Sequence, residues 1–285
     1  MALTSMLDAV REAHRQCRAV PLFVCCDMPV TEGIIRGCEA VGSPAILGFW
    51  SGFLTRPGGT EFAKWIQTLA GQSSVRLSLM LDHGKTVEQC LQALSLGFTD
   101  IMYDGSVLPF QENLANTKRV AEVAHATGAA VEAELGIVGR GADYDSYGAR
   151  GEGLTDVAEA ERFAAESACD VLAVAVGTAH GQYNSPPRLD LDRLRHIRQH
   201  VEVPLALHGG SGLSEAQFGL VISNGVAKIN VGTDLALAAG EAVARQSRTA
   251  DAGYFRLVRA ARDGTQERVE HYLELFRIER GPSDD

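Results

Sequence analysis

Eight short apolar runs, separated by stretches of helical periodicity, limit this chain to very few architectures. The runs are Ala19–Cys25, Ala45–Trp50, Val75–Asp82, Asp100–Tyr103, Ala129–Glu134, Asp170–Val176, Val203–Leu207 and Val226–Val231. An opening helix over Ser5–Arg18 precedes them. Helices over Thr31–Val41, Glu61–Ala70, Thr86–Leu96, Gln111–Thr127, Thr155–Ser167, Leu191–His200 and Ser214–Asn224 lie between them. Strands that alternate with helices pair in parallel, and eight such units close into a (β/α)8 TIM barrel. The expected organisation is one barrel domain over 1–285, with a helical extension from about 235 to 280.

Composition narrows the class of function. The chain is 46% hydrophobic, sufficient for one large core, and no Pro/Gly/Ser-rich linker divides it. A formal charge of −10 argues against a nucleic-acid partner. It does not argue against anionic small molecules, because a metal and oriented amides outweigh global charge locally. No apolar run reaches the ~20 residues that span a bilayer, and no basic region followed by an apolar run opens the chain. The six cysteines form no C-x-x-C pair and read as reduced thiols. The expectation is a cytoplasmic protein with no membrane partner.

Three of the runs carry chemistry at their ends. His83, His180 and His208 each close a strand-like stretch, and each is followed by glycine. A parallel barrel gathers the carboxyl ends of its strands on one face, where distant histidines converge. Three imidazoles without a thiolate suit zinc with an open coordination position. A lone histidine at a strand end is usually structural; the repetition with glycine makes these three metal-ligand candidates.

Asp82, next to His83, reads either as a capping carboxylate or as the group that moves a proton on a substrate hydroxyl. Glu132 and Glu134 share one strand face by period two, one as a partner for Lys228 and the other as a metal-orienting group. The loops His208-Gly209-Gly210-Ser211-Gly212 and Asn230-Val231-Gly232-Thr233-Asp234 offer amides and hydroxyls where barrels commonly bind phosphate. Helices starting near Ser214 and Thr233 aim their amides at the same anion. The Gly136–Gly153 segment lacks apolar periodicity and is too long for a simple connection, so it reads as a mobile active-site loop.

Together, Asp82-His83-Gly84, Val131-Glu132-Ala133-Glu134-Leu135-Gly136, Gly177-Thr178-Ala179-His180-Gly181, His208-Gly209-Gly210-Ser211-Gly212 and Lys228-Ile229-Asn230-Val231-Gly232-Thr233 resemble the class II, zinc-dependent fructose- and tagatose-bisphosphate aldolases. The segment Asp104-Gly105-Ser106, followed by Leu108-Pro109-Phe110, fits the same pattern. The likeness runs in order from about Leu7 to about Leu235. It implies a TIM barrel and Zn2+ on His83, His180 and His208. It further implies Asp82 as the acid/base at the cleaved bond and Glu134 near an alternate metal position. The phosphate of a dihydroxyacetone phosphate half would lie against Gly181, Gly209, Gly210 and Ser211, and against Asn230, Val231, Gly232 and Thr233. A monovalent cation, Na+ or K+, and a homodimer or homotetramer are further implications.

Departures from the family pattern fall on the other side of the pocket. The family's mobile loop reads Gly-Gly-x-Glu-Asp, whereas this chain has Gly139-Arg140-Gly141-Ala142-Asp143, with alanine in place of the glutamate. Asp143 or Asp145 is the candidate replacement, and Arg140 is a candidate for recognising an acidic group. The first strand ends Phe23-Val24-Cys25-Cys26-Asp27 rather than Phe-Asn-x-x-Asn. Trp50 stands where a small hydroxylated residue is usual, either narrowing the site or packing under a helix. The family's Asp-Pro-Arg is missing around Asp251, which removes a second phosphate contact.

The expected function is a metal-dependent aldehyde-lyase acting on a phosphorylated ketose in carbohydrate metabolism. Three alternatives stay open: a related metal-dependent enediolate enzyme on an unusual sugar phosphate, a phosphoketose-binding protein without turnover, and a Schiff-base enzyme using Lys228.

Overall fold

Each barrel strand is apolar on both faces because helices cover its outside and the other strands enclose its inside. The computed structural model describes residues 3–144 and 153–276. Its barrel strands are β1 Val20–Val24, β2 Ala45–Trp50, β3 Leu77–Gly84, β4 Asp100–Tyr103, β5 Ala130–Leu135, β6 Val171–Val174, β7 Leu205–Leu207 and β8 Val226–Val231. They close in chain order, with β1 pairing both β2 and β8, and every pairing is parallel. The TIM barrel expected from the alternation is the observed fold.

The α-helices among the described residues are α1 Leu7–Gln16, α2 Met28–Val41, α3 Gly59–Gly71, α4 Val87–Ser95, α5 Phe110–Ala126, α6 Val157–Ser167, α7 Leu191–His200, α8 Glu215–Ser223, α9 Thr233–Gln246 and α10 Tyr254–Phe276. None of the described helices is long and apolar enough to cross a membrane. Two starts differ from the sequence reading for identifiable reasons. Helix α2 begins three residues earlier than Thr31, because Asp27 Oδ1 accepts from Val30 N at 2.8 Å and Pro29 supplies a helical φ in the first turn. Helix α6 is capped by Asp156 rather than by Thr155. The Thr155 hydroxyl instead donates to the Leu135 carbonyl and accepts from Ala175 N, tying the ends of β5 and β6 together.

The inside of the barrel has two unlike ends. At the amino end of the strands, Met6 and Val10 join Val20, Leu22, Ile46, Met80 and Met102 in one buried cluster, so α1 and the residue before it plug the floor. Full burial of one such side chain contributes about 1.5–3 kcal/mol. At the carboxyl end the interior turns polar, with Asp82, Glu132, Glu134, His208, Lys228 and Asn230 all buried. Period-two alternation selects these residues: Asp82 follows Met80, Glu132 and Glu134 share a face, and Lys228 and Asn230 share another.

Candidate active site at the barrel rim

Beta alternation aims Asp82 inward, so His83 should point out. It does not, because His83 takes a left-handed conformation with φ at +55°. The Ser51 hydroxyl donates to the His83 carbonyl at 2.5 Å, and the β3–β4 register shifts between Leu81 and Gly84. His83 is the residue that turns, and both neighbours face one chamber. A left-handed non-glycine residue costs about 1–3 kcal/mol and persists where its surroundings determine it.

The three predicted histidines meet. His83 Nε2 lies 3.1 Å from His180 Nε2 and 3.0 Å from His208 Nδ1. Their other ring nitrogens have other partners. His83 Nδ1 is 2.6 Å from Asp104 Oδ2, His208 Nε2 is 2.8 Å from Glu132 Oε1, and the Val138 backbone accepts from His180. A carboxylate or carbonyl only accepts, so each of those nitrogens carries the hydrogen. With His83 neutral, the three facing nitrogens would turn lone pairs toward one centre, His83 Nε2 lying at hydrogen-bond distance from the other two. A proton on His83 or a metal ion relieves the repulsion of those lone pairs, and the ring orientation is the one that outer partners impose on metal-binding imidazoles. The donor set fits a divalent ion, and these residues form a group that can hold one.

The surrounding charges favour the same conclusion. Burial lowers the affinity of His83 for a proton, but Asp82, the Asp104 hydrogen bond and Glu134 outweigh it and hold the group up to about 9. Burial and the neighbouring His83 push His180 down to about 4, and push His208 well down. The site thus holds one positive charge where the three rings meet. Asp104 loses hydration on burial, yet its hydrogen bond and charge contacts with His83 and Lys85 hold it well below the usual carboxylate range. Glu134 is pushed up to about 8 by burial and by the Asp104 charge. Its Oε2 has no hydrogen-bond partner among the described residues and lies 3.8 Å from both His83 Nδ1 and His208 Nδ1. An unpaired buried carboxylate oxygen facing this cluster is a further feature that a bound cation would satisfy.

Beneath the rings runs a buried polar chain. Lys228 Nζ donates to Glu132 Oε1 at 3.1 Å and to Asn230 Oδ1 at 2.5 Å, and lies 3.0 Å from Glu132 Oε2 as an ion pair. Asn230 Nδ2 in turn donates to Asp82 Oδ1 at 3.0 Å. Lys228 thereby fixes both the His208 ring and the Asp82 carboxylate. Burial pushes Glu132 up, against the pull of the Lys228 charge. Lys228 is 1% exposed and held by both partners, which disfavours it as a nucleophile.

The predicted phosphate residues gather beside the rings, though not all face the cavity. A chamber of about 670 Å³ is lined by Asp82, His83, His180, Gly181, Gly209, Ser211, Asn230, Gly232 and Thr233, among others. Gly210 and Val231 are not in its wall. The Gly210 amide donates to the Asn230 carbonyl at 3.2 Å, and the Val231 side chain lies in the core. Gly209 has φ at +69°, and a Cβ there would come within 2.3 Å of the Ala179 carbonyl, so only glycine fits. Tyr183 clamps the same two loops, its hydroxyl accepting from Ala179 N and donating to the Gly209 carbonyl, both at 2.8 Å. Helix α9 begins at Thr233, and the Ser211 hydroxyl accepts from Asp234 N at 3.1 Å.

Asp143 is exposed in the turn Gly141–Asp143 and is not in the chamber wall. Asp145 lies outside the described residues. The described part of the Gly136–Gly153 segment has more structure than its composition suggests: Gly139–Arg140 pairs in parallel with Ala179–His180, and Tyr144 is buried, its hydroxyl donating to the Gly177 carbonyl at 2.8 Å. Sequence reasoning missed the roles of Asp104 and Lys85. The Asp-Gly-Ser after β4 was the available signal; Ser106 Oγ donates to Asp104 Oδ1 at 2.6 Å, leaving Oδ2 for His83 and Lys85.

The family model of class II fructose-bisphosphate aldolase matches residues 4–280. The chain belongs to that family. The chain is 38% identical over 248 residues to a fructose-bisphosphate aldolase of Geobacillus stearothermophilus, covering 85% of each. It is 36% identical over 244 residues to the protein YdjI of Escherichia coli K12, covering 86% of each. The crystal structure of the YdjI aldolase superposes with a TM-score of 0.86 at 32% identity, over 97% of this chain and 98% of that one. A fructose-bisphosphate aldolase of Campylobacter jejuni, at 20% identity and a TM-score of 0.78, shares the fold. Membership in this family makes the protein an aldolase of the lyase class.

Proposed function

We propose that the protein is a zinc-dependent lyase that cleaves and forms a C–C bond in a phosphorylated ketose, with dihydroxyacetone phosphate as the ketone half. The observation that carries this reading is the convergence of three imidazoles, with His83 Nε2 3.1 Å from His180 Nε2 and 3.0 Å from His208 Nδ1, beside an inward carboxylate, Asp82. Zinc held by His83, His180 and His208 would supply Lewis-acid polarisation of the ketone oxygen.

The chain's own residues do the remainder. Asp82 takes the proton from the hydroxyl on the carbon that becomes the aldehyde, as the C–C bond breaks and its electron pair passes into the ketone half. Carbon in that half then gains one proton, so the cleavage involves no net oxidation. Asn230, itself held by Lys228, donates to Asp82 Oδ1 and leaves the second carboxylate oxygen for the substrate. Glu134 faces the same centre and is assigned to an alternate position of the ion. With Ala142 in place of the family's glutamate, Asp143 is the proposed carrier of the carbon-bound proton, a role that requires its turn to move inward.

The phosphate would be held by the amides of Gly181, Gly209, Ser211, Gly232 and Thr233 at the start of α9, with a monovalent cation nearby. Gly210 and Val231 contribute through loop shape. Tyr254 and Phe255 are 74% and 84% exposed at the start of α10, which supports a homodimer or homotetramer.

The test is a panel of phosphorylated ketoses offered to purified protein, with release of dihydroxyacetone phosphate as the readout. Turnover should disappear on chelation and return with zinc. Cleavage that persists without any divalent metal would refute the proposal.

A further inference from the structure

The chamber has two kinds of wall. On the phosphate side are backbone amides, glycines and a helix start. Elsewhere the wall has apolar surface from Trp50, Val107 and Ile137, while Val24 and Ala236 lie beside Gly232 on the phosphate side. The Trp50 indole lies flat on Gly52, where an added Cβ would come within 2.3 Å of the ring. Phe53 packs edge-on against it at 5.6 Å, and the Arg56 guanidinium is 5.1 Å from its centre.

Two cations line the chamber among the described residues, Lys85 and Arg140. Lys85 is spent on Asp104. Arg140 is exposed and has no ion-pair partner among the described residues. Its position is nonetheless fixed. Arg140 pairs in register with His180 on the short parallel ribbon, and residues directly opposite in a ladder project to the same side. The next residues are anchored too, Asn184 Nδ2 donating to the Ala142 carbonyl and the Tyr144 hydroxyl accepting from Arg188 N. The short strand thus holds on the rim a guanidinium with no ion-pair partner among the described residues, beside a predicted metal ligand and next to the loop that carries Gly181.

We propose that Arg140 determines specificity by binding a terminal carboxylate on the aldehyde half, so that the substrate is a ketose phosphate that is also a sugar acid. This rests on the aldolase reading above. One planar guanidinium matches a carboxylate through two parallel hydrogen bonds. A second phosphate would need more donors than this rim supplies.

The test offers dihydroxyacetone phosphate with three aldehydes of equal chain length, ending in a hydroxymethyl, a carboxylate or a phosphate, and measures kcat/KM for aldol formation. The carboxylate should be preferred over the neutral aldehyde by about 30-fold, the middle of the range for a charge-assisted pair. In Arg140→Met that ratio should fall to near one, with Arg140→Lys between. Calorimetric titration with an unreactive sugar acid should show the same weakening in Arg140→Met without needing turnover. No carboxylate preference, a preference that survives in Arg140→Met, or a phosphate preference each overturns the inference. Aldol formation without carboxylate preference sinks only this inference. Sugar-acid binding that depends on Arg140, with no aldol formation, sinks the aldolase reading and leaves the acid site standing.

Discussion

Asp100 opens β4 and Asp104 follows directly after its end at Tyr103, and the barrel treats them in opposite ways. Asp100, at the floor, accepts from the Ser5 hydroxyl at 2.6 Å and the Thr99 hydroxyl at 3.0 Å. Burial without a cationic partner pushes it up to about 6. Asp104, at the rim, has His83 and Lys85 beside it and stays ionised. The floor gives its carboxyl group hydroxyls but no cation and so raises its proton affinity, whereas the rim keeps charges and opposes them to one another. Stability and chemistry are thus divided between the two ends of a single interior.

That division is open to attack at both ends. The largest effect is expected at the rim. His180→Ala should lower kcat/KM for ketose cleavage by about three orders of magnitude or more, on the order of 4 kcal/mol. The variant should also lose zinc by elemental analysis; full activity would mean that the rings serve only structure.

The floor should respond to pH instead. Because the folded value of Asp100 lies above its unfolded one of about 3.9, folding favours its protonated form. The resulting stability is fully present below about pH 4 and disappears as pH rises through about 6. Relative to Asp100→Asn, denaturant unfolding of the parent protein should therefore lose on the order of 3 kcal/mol between those pH values. A pH-independent difference would remove the contrast.

Asp104→Asn should weaken zinc binding by about 10–100-fold in a chelator competition, because the His83 ring loses its ionised acceptor. The smallest change belongs to the exposed wall. Trp50→Leu should alter unfolding free energy by less than about 1 kcal/mol, the loss of one exposed cation–π contact and little else. A larger cost would show that the wall supports the barrel.

Much of this was legible in the chain because two periodicities carried it. Alternation with period two placed Glu132, Glu134, Lys228 and Asn230 inward, and the eightfold alternation of strand and helix gave the barrel. The three histidines could be assigned to one rim for the same reason. Alternation failed where the backbone leaves the strand. Nothing in Asp82-His83-Gly84 specifies the left-handed turn at His83, which depends on a hydroxyl from Ser51, 32 residues away. The partnership of Asp104 with His83 likewise spans 21 residues and two strands. Thr155 reads as a cap from its position before a helix, yet the fold uses its hydroxyl between two strand ends. Local patterns predicted faces; the long-range hydrogen bonds that orient the site had no local signature.

The plug formed by Met6 and Val10 has a bearing on traffic. A chamber sealed below has a single doorway, so whatever enters first sits deeper and whatever enters last blocks it. On the aldolase reading, the fragment nearer the opening must depart before the one anchored behind it. Product inhibition by the two fragments should then follow an ordered rather than a random pattern, an order of exit set by a methionine and a valine at the far end of the barrel.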